Sequence, residues 1–139
     1  MSVTTVETPP YADDLRRARE ALEQADRCQS PDERFLASYL AAMRVAVTVL
    51  AVRARPRPRQ GPADLWQVLA RAAPEYVEWA AFFATLRPRR EAIRAGATAV
   101  AGEREADDLR RDAQAFHDQV ERQLGRAWQR ALARRGRHD

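Results

Sequence analysis

The chain has 139 residues, enough for one domain that buries roughly two-thirds of the surface its unfolded form exposes, so folding needs neither a disulfide nor a metal. Its single cysteine, Cys28, excludes an intramolecular disulfide, and with no clustered Cys or His the expectation is no metal and no cofactor. All 24 basic side chains are arginine and the formal net charge is +4, which reads as the residue bias of a high-GC genome before it reads as selection for binding.

The distribution of charge says more than its total. Residues 1–54 sum to −1, 55–100 to +4, 101–121 to −4 and 122–139 to +5, so two basic segments flank an acidic one. Residues 1–10 contain neither a basic nor an apolar signal region, and the uncharged run Val45–Val52 is too short to span a bilayer. The expected setting is the cytoplasm, with no membrane partner.

Pro9-Pro10 close a polar tail, residues 1–10, read as disordered. Leu15, Ala18, Leu22 and Ala25 then recur at the steps of one helical face and predict a first helix ending near Arg27. Ser30-Pro31-Asp32-Glu33 follows: an N-cap hydroxyl, a proline in the first turn and a glutamate three residues on, a capping box that starts the second helix. Phe35, Leu36, Tyr39, Leu40, Met43, Val47 and Leu50 cover more than one side of that helix and mark it as central.

Three prolines and a glycine between Arg53 and Pro62 predict an extended, polyproline-like connection. Gly61-Pro62 opens a third helix with Leu65, Trp66, Val68 and Leu69, and Pro74 restarts the chain as a fourth with Tyr76, Trp79, Phe82 and Phe83, an aromatic cluster read as core. Pro88 is expected to break that helix, with a short irregular or helical piece reaching Gly96. After Gly102, Ala106, Leu109, Ala113, Phe116 and Val120 form the seam of a long last helix ending near Ala133. The expected fold is an all-α, up-and-down bundle of four to five helices over residues 11–133, followed by a basic tail, 134–139.

His117 is the natural starting point for acid–base chemistry near neutral pH, since it alone of the two histidines falls inside a predicted element. At 100° per residue Arg110 lies within about 20° of it on the same face, with Asp107 and Glu121 in the same stripe. Beside an apolar seam such a stripe lines a groove edge or a dimer interface, where a guanidinium holds a phosphate and an imidazole moves a proton. The alternative is a solvated flank in which Asp107 pairs with Arg110 and Glu121 with His117.

Arg53, Arg55, Arg57 and Arg59 form a second candidate, an extended basic loop able to follow a phosphate backbone, or else an ordinary solvated loop. Arg122, Arg126, Arg130 and Arg134 stripe the end of the last helix opposite Leu124, Trp128 and Leu132, a pattern open to nucleic-acid contact or an interfacial helix on anionic lipid but read most simply as a solvated face behind a packed strip. Cys28, without a visible basic or histidine neighbour, reads as an inert thiol.

Ala73-Pro74-Glu75, the run Glu78-Trp79-Ala80-Ala81-Phe82-Phe83-Ala84 and the run Arg104-Glu105-Ala106-Asp107-Asp108-Leu109 resemble an actinobacterial branch of the HEPN superfamily, a likeness spanning about residues 11–125. The resemblance implies a helical bundle, usually dimeric, that binds RNA or cleaves it without metal through an arginine, often followed by a polar residue, and a histidine after four to six intervening residues. Arg111-Asp112 before His117 fits with five intervening residues, and Arg110 with six. It then implies that Arg110 or Arg111 binds the scissile phosphate, that His117 is general base or acid, and that the RNA 2′-hydroxyl attacks. A non-catalytic helical interaction module or dimer, paired in some HEPN proteins with a nucleotidyltransferase-type partner, is the alternative.

Overall fold

A computed structural model describes residues 7–53 and 62–138. Its elements are α1 (Ala12–Arg27), α2 (Pro31–Val52), α3 (Pro62–Ala72), a 3-10 turn (Pro74–Tyr76), α4 (Val77–Arg94) and α5 (Glu103–His138). The all-α bundle expected from the sequence is the fold, and no strand occurs among the described residues.

The capping box forms as read: Ser30 Oγ accepts the Glu33 N–H at 3.2 Å, satisfying one of the orphan donors at the start of α2. Asp32 in the same turn reaches further. Its two carboxylate oxygens accept the backbone N–H groups of Ala101 (2.7 Å) and Val100 (3.3 Å), which ties the loop before α5 to the head of α2.

Side-chain pairs fix the topology. Arg19 meets Glu121 and Asp26 meets Arg110, so α1 and α5 are antiparallel; Trp79 meets Gln119 and Arg89 meets Glu105, so α4 and α5 are antiparallel as well. Arg34 lies against Glu103 and Asp107, while Ala51 and Val52 share a groove with Leu124 and Trp128, so α2 and α5 run in parallel. With α1 on one flank and α3 and α4 on the other, α2 is the central helix, and Phe35, Tyr39, Val45, Val49 and Leu50 are all sealed.

That central position explains the apolarity of α2. By length and composition alone it could cross a membrane, yet most of its apolar side chains are buried against α1, α3, α4 and α5, with Leu40 and Val52 left exposed. One polar chain runs through this core: the Trp66 indole N–H donates to Tyr39 Oη (2.8 Å), and the Tyr39 hydroxyl donates to the Phe83 carbonyl (3.2 Å). Around it Trp66, Phe83, Trp79, Phe116 and Tyr76 pack ring to ring at 5.0–5.9 Å, within the range aromatic pairs favour.

Three expectations need correction. Pro88 does not end the fourth helix, which continues to Arg94. The proline removes one backbone bond, but the following turn is held from outside by the Arg89–Glu105 ion pair, by Arg90 lying 5.7 Å over the Tyr39 ring, and by Ile93 against the core. The helix stops instead at Gly96, whose φ of +103° only glycine adopts without strain. The last helix runs to His138, so residues 134–138 continue it and are not a separate tail. Phe82, read as core, is 36% exposed. Of the expected tail, residues 1–6 lie outside the described residues.

Candidate functional site: the arginine and histidine residues of α5

The seam Ala106, Leu109, Ala113, Phe116 and Val120 is completely buried, and it carries His117 inward with it. His117 is 1% exposed, so it is neither a solvated flank nor the edge of an open groove. The reason is rotational: on the helical wheel it lies about 20° beyond Ala106 and Leu124, at the edge of the buried seam. Its Nδ1 lies 3.0 Å from Asp118 Oδ1. A carboxylate can only accept, so Nδ1 carries the proton in the neutral ring and Nε2 is left as an acceptor. Among the described residues Nε2 is buried with no hydrogen-bond partner.

Asp118 is the end of a chain of polar contacts along one helical stripe. Gln114 Nε2 donates to Asp118 Oδ1 at 2.8 Å, Arg110 Nη1 donates to Gln114 Oε1 at 3.0 Å, and the other two Arg110 nitrogens fork onto Asp26 of α1 at 2.9 and 3.0 Å. Burial pushes the Asp118 carboxyl up, but the hydrogen bonds from His117 and Gln114 outweigh it and hold the group below the ordinary aspartate value. The pairings weighed from sequence are replaced: Arg110 pairs with Asp26 and not Asp107, His117 with Asp118 and not Glu121. Asp107 goes to Arg34, and Glu121 to Arg19.

Arg111 takes the other direction. It is well exposed and pairs with Asp108 at 2.9 Å. Arg34, Arg110 and Arg111 line a surface depression of about 520 Å³ together with Asp26, Asp107 and Gln114. Arg110 and Arg111 therefore reach one solvent-filled hollow, while the His117 ring is sealed from it.

Arg53 does not head an open basic series. Its guanidinium forks onto Glu75 (2.5 and 3.3 Å) and donates to the Ala72 carbonyl (3.0 Å), and that hydrogen bond lowers the Glu75 carboxyl below its usual range. Arg55, Arg57 and Arg59 lie outside the described residues. His117, Asp118 and Glu121 bring three ligand-type atoms within 4.8 Å of one another, but both carboxylates are already engaged by donors, so the group is accounted for without an ion.

Sequence reasoning missed Asp26, Gln114 and Asp118. The latter two were findable, since Arg110, Gln114 and Asp118 follow at four-residue steps on one helix; Asp26 belongs to another helix and left no such signal.

Among the described residues five helices form an all-α bundle, and the longest carries Arg110 and His117 seven residues apart and is tied to the first through Asp26. The family model of the SAV_6107-like HEPN domain matches residues 25–121, more than half of the chain, and the chain belongs to that family. No curated protein and no solved structure matches it.

Proposed function

We propose that this HEPN domain is a non-catalytic interaction module, in which Arg110 and His117 build the joint between α1 and α5. The observation that carries this reading is the burial of His117, 1% exposed, with its one hydrogen bond directed at Asp118. A general base must reach the proton it removes, and a ring enclosed in the seam reaches none on a bound RNA. Arg110 is likewise committed to Asp26 through two hydrogen bonds, a bidentate ion pair that a phosphate would have to displace.

A module of this kind needs a surface, and a second copy of the chain is the first partner to test. Tyr11, Val52, Leu124 and Trp128 line an open apolar groove of about 400 Å³ at one end of the bundle, and Val52 is 46% exposed. A nucleotidyltransferase-type protein is the second partner to test. Sedimentation of the purified chain and co-purification from cells address the two.

One observation favours the alternative of a metal-independent ribonuclease: Arg34, Arg110 and Arg111 share one hollow, a cationic cradle for a phosphate. In that reading His117 becomes exposed and takes the proton of the RNA 2′-hydroxyl, the oxygen attacks phosphorus, the 5′-oxygen leaves with a proton from water, and a 2′,3′-cyclic phosphate remains. The deciding experiment incubates diverse RNAs with the protein in EDTA, alongside His117→Ala and the Arg110→Ala/Arg111→Ala pair. The module reading expects no cleavage above the variants. Cyclic phosphate ends made by wild type and absent from both variants would replace it with the nuclease.

A further inference from the structure

The carboxylates of α5 are mostly neutralised by arginines of the same chain. Glu103 and Asp107 are held by Arg34, Glu105 by Arg89, Asp108 by Arg111 and Glu121 by Arg19. Asp112 on α5 and Glu78 on α4 are exceptions: among the described residues neither is in a salt bridge with an arginine. Both line one cavity of about 440 Å³ between α4 and α5, whose remaining walls are Glu75, Trp79, Phe82 and Gln119.

The floor of this cavity is aromatic and rigid. Trp79 is stacked on Phe83 at 5.7 Å and 15°, and its indole N–H is fixed on Gln119 Oε1 at 2.9 Å. Phe82 stands edge-on to it at 6.4 Å and 72°, and presents 36% of its surface to solvent. On the rim, Glu75 already holds one guanidinium in a two-point fork, that of Arg53. Burial, with Asp108 nearby, raises the Asp112 carboxyl above its ordinary value despite the pull of the neighbouring Arg111, so a counter-charge delivered there is favourable. In a chain with net charge +4, a concave site with two carboxylates that no arginine bridges among the described residues, beside a part-buried Trp79 and an exposed Phe82, is complementary to an organic cation.

The geometry points to a docking site for the arginine side chain of a partner peptide, its guanidinium between Glu78 and Asp112 and its face on the exposed Phe82 ring beside Trp79. Arginine suits the site better than lysine because its planar, weakly hydrated head both forks carboxylates and stacks on rings. Arg53 on Glu75 is the example of that fork at the same rim. This goes beyond the module reading of His117 and holds whether or not the protein cleaves RNA.

The test is a titration of the nitrogen-15-labelled full chain with capped arginine, N-acetyl-arginine methylamide, followed at the three tryptophan indole N–H signals at low salt. The expected result is a saturable shift of the Trp79 indole, while Trp66, buried on Tyr39, stays still and reports an intact fold. Glu78→Gln/Asp112→Asn should weaken binding at least tenfold, high salt should weaken it, and capped norleucine should give no shift. A still Trp79 signal, or equal binding by the double variant, would overturn the assignment. Free spermidine binding more tightly than capped arginine, with the same dependence on Glu78 and Asp112, would reassign the site from a peptide to a polyamine and overturn it too.

Discussion

Replacing His117 by leucine and by alanine separates the ring's volume from its polarity. The ring is fully enclosed, and its Nε2 has no partner among the described residues; a buried acceptor left unpaired costs about 1–3 kcal/mol. Leucine fills a comparable volume and removes that penalty. It also removes the Nδ1–Asp118 bond, worth about 1 kcal/mol here because Asp118 is 45% exposed and keeps Gln114 as a donor. His117→Leu should therefore lie between unchanged and about 2 kcal/mol more stable. His117→Ala leaves a cavity in the seam and should lose about 2–4 kcal/mol, roughly 3–5 °C of Tm per kcal/mol for a domain of this size. Urea unfolding followed by circular dichroism reads both. Leucine costing as much as alanine would refute the reasoning, since the polar ring would then be required by the fold.

Tyr39→Phe should cost about 1–3 kcal/mol, because it strands the buried Trp66 N–H; unchanged urea stability would mean the indole finds another partner. A double-mutant cycle on Asp26→Ala and Arg110→Ala should return about 0.5–1.5 kcal/mol of coupling, and a value near zero would remove this pair from the α1–α5 joint. For pH, Asp118 and Glu75 both have depressed carboxyls, so the stability they contribute is present above the unfolded value and lost as pH falls below about 4. Asp112 has the opposite sign: its raised value means that its charge opposes folding as pH rises past the ordinary aspartate range. Asp112→Asn should gain stability at neutral pH and none in acid, and Asp118→Asn should flatten the acid loss; urea midpoints against pH measure both.

The helices were legible where local chemistry decides them. Ser30-Pro31-Asp32-Glu33 starts α2 because each residue meets a need of the first turn, and the period of Leu15, Ala18, Leu22 and Ala25 predicts the buried face of α1 that forms. Pro88 misled because the contacts holding its helix together come from Glu105 and Tyr39, distant in sequence. The candidate site shows the same division. The spacing of Arg110 and His117 correctly puts them on one stripe, but whether a stripe beside a seam faces solvent depends on α1, and α1 covers it through Asp26 and Arg19. Exposure of Phe82 was equally invisible, since it depends on which face of α4 turns toward the core and which toward solvent.

α5 extends far beyond its packing. Its 36 residues span about 54 Å, yet among the described residues its last buried one is Leu124; beyond it Trp128 and Ala131 only share a groove with Tyr11 and Val52, and Arg135 meets Glu7 at 3.8 Å, so the final turns have few of the core contacts that stabilise most helices. The order of charge supplies what packing does not. Peptide dipoles sum to a partial positive charge at a helix's start and a partial negative one at its end, and this helix meets them with an acidic first half and arginines at 122, 126, 130, 134, 135 and 137. These last turns are thus an electrostatically terminated rod, and shielding by salt or exchanging those arginines for glutamates should unwind them from residue 138 inward while the bundle below keeps its shape.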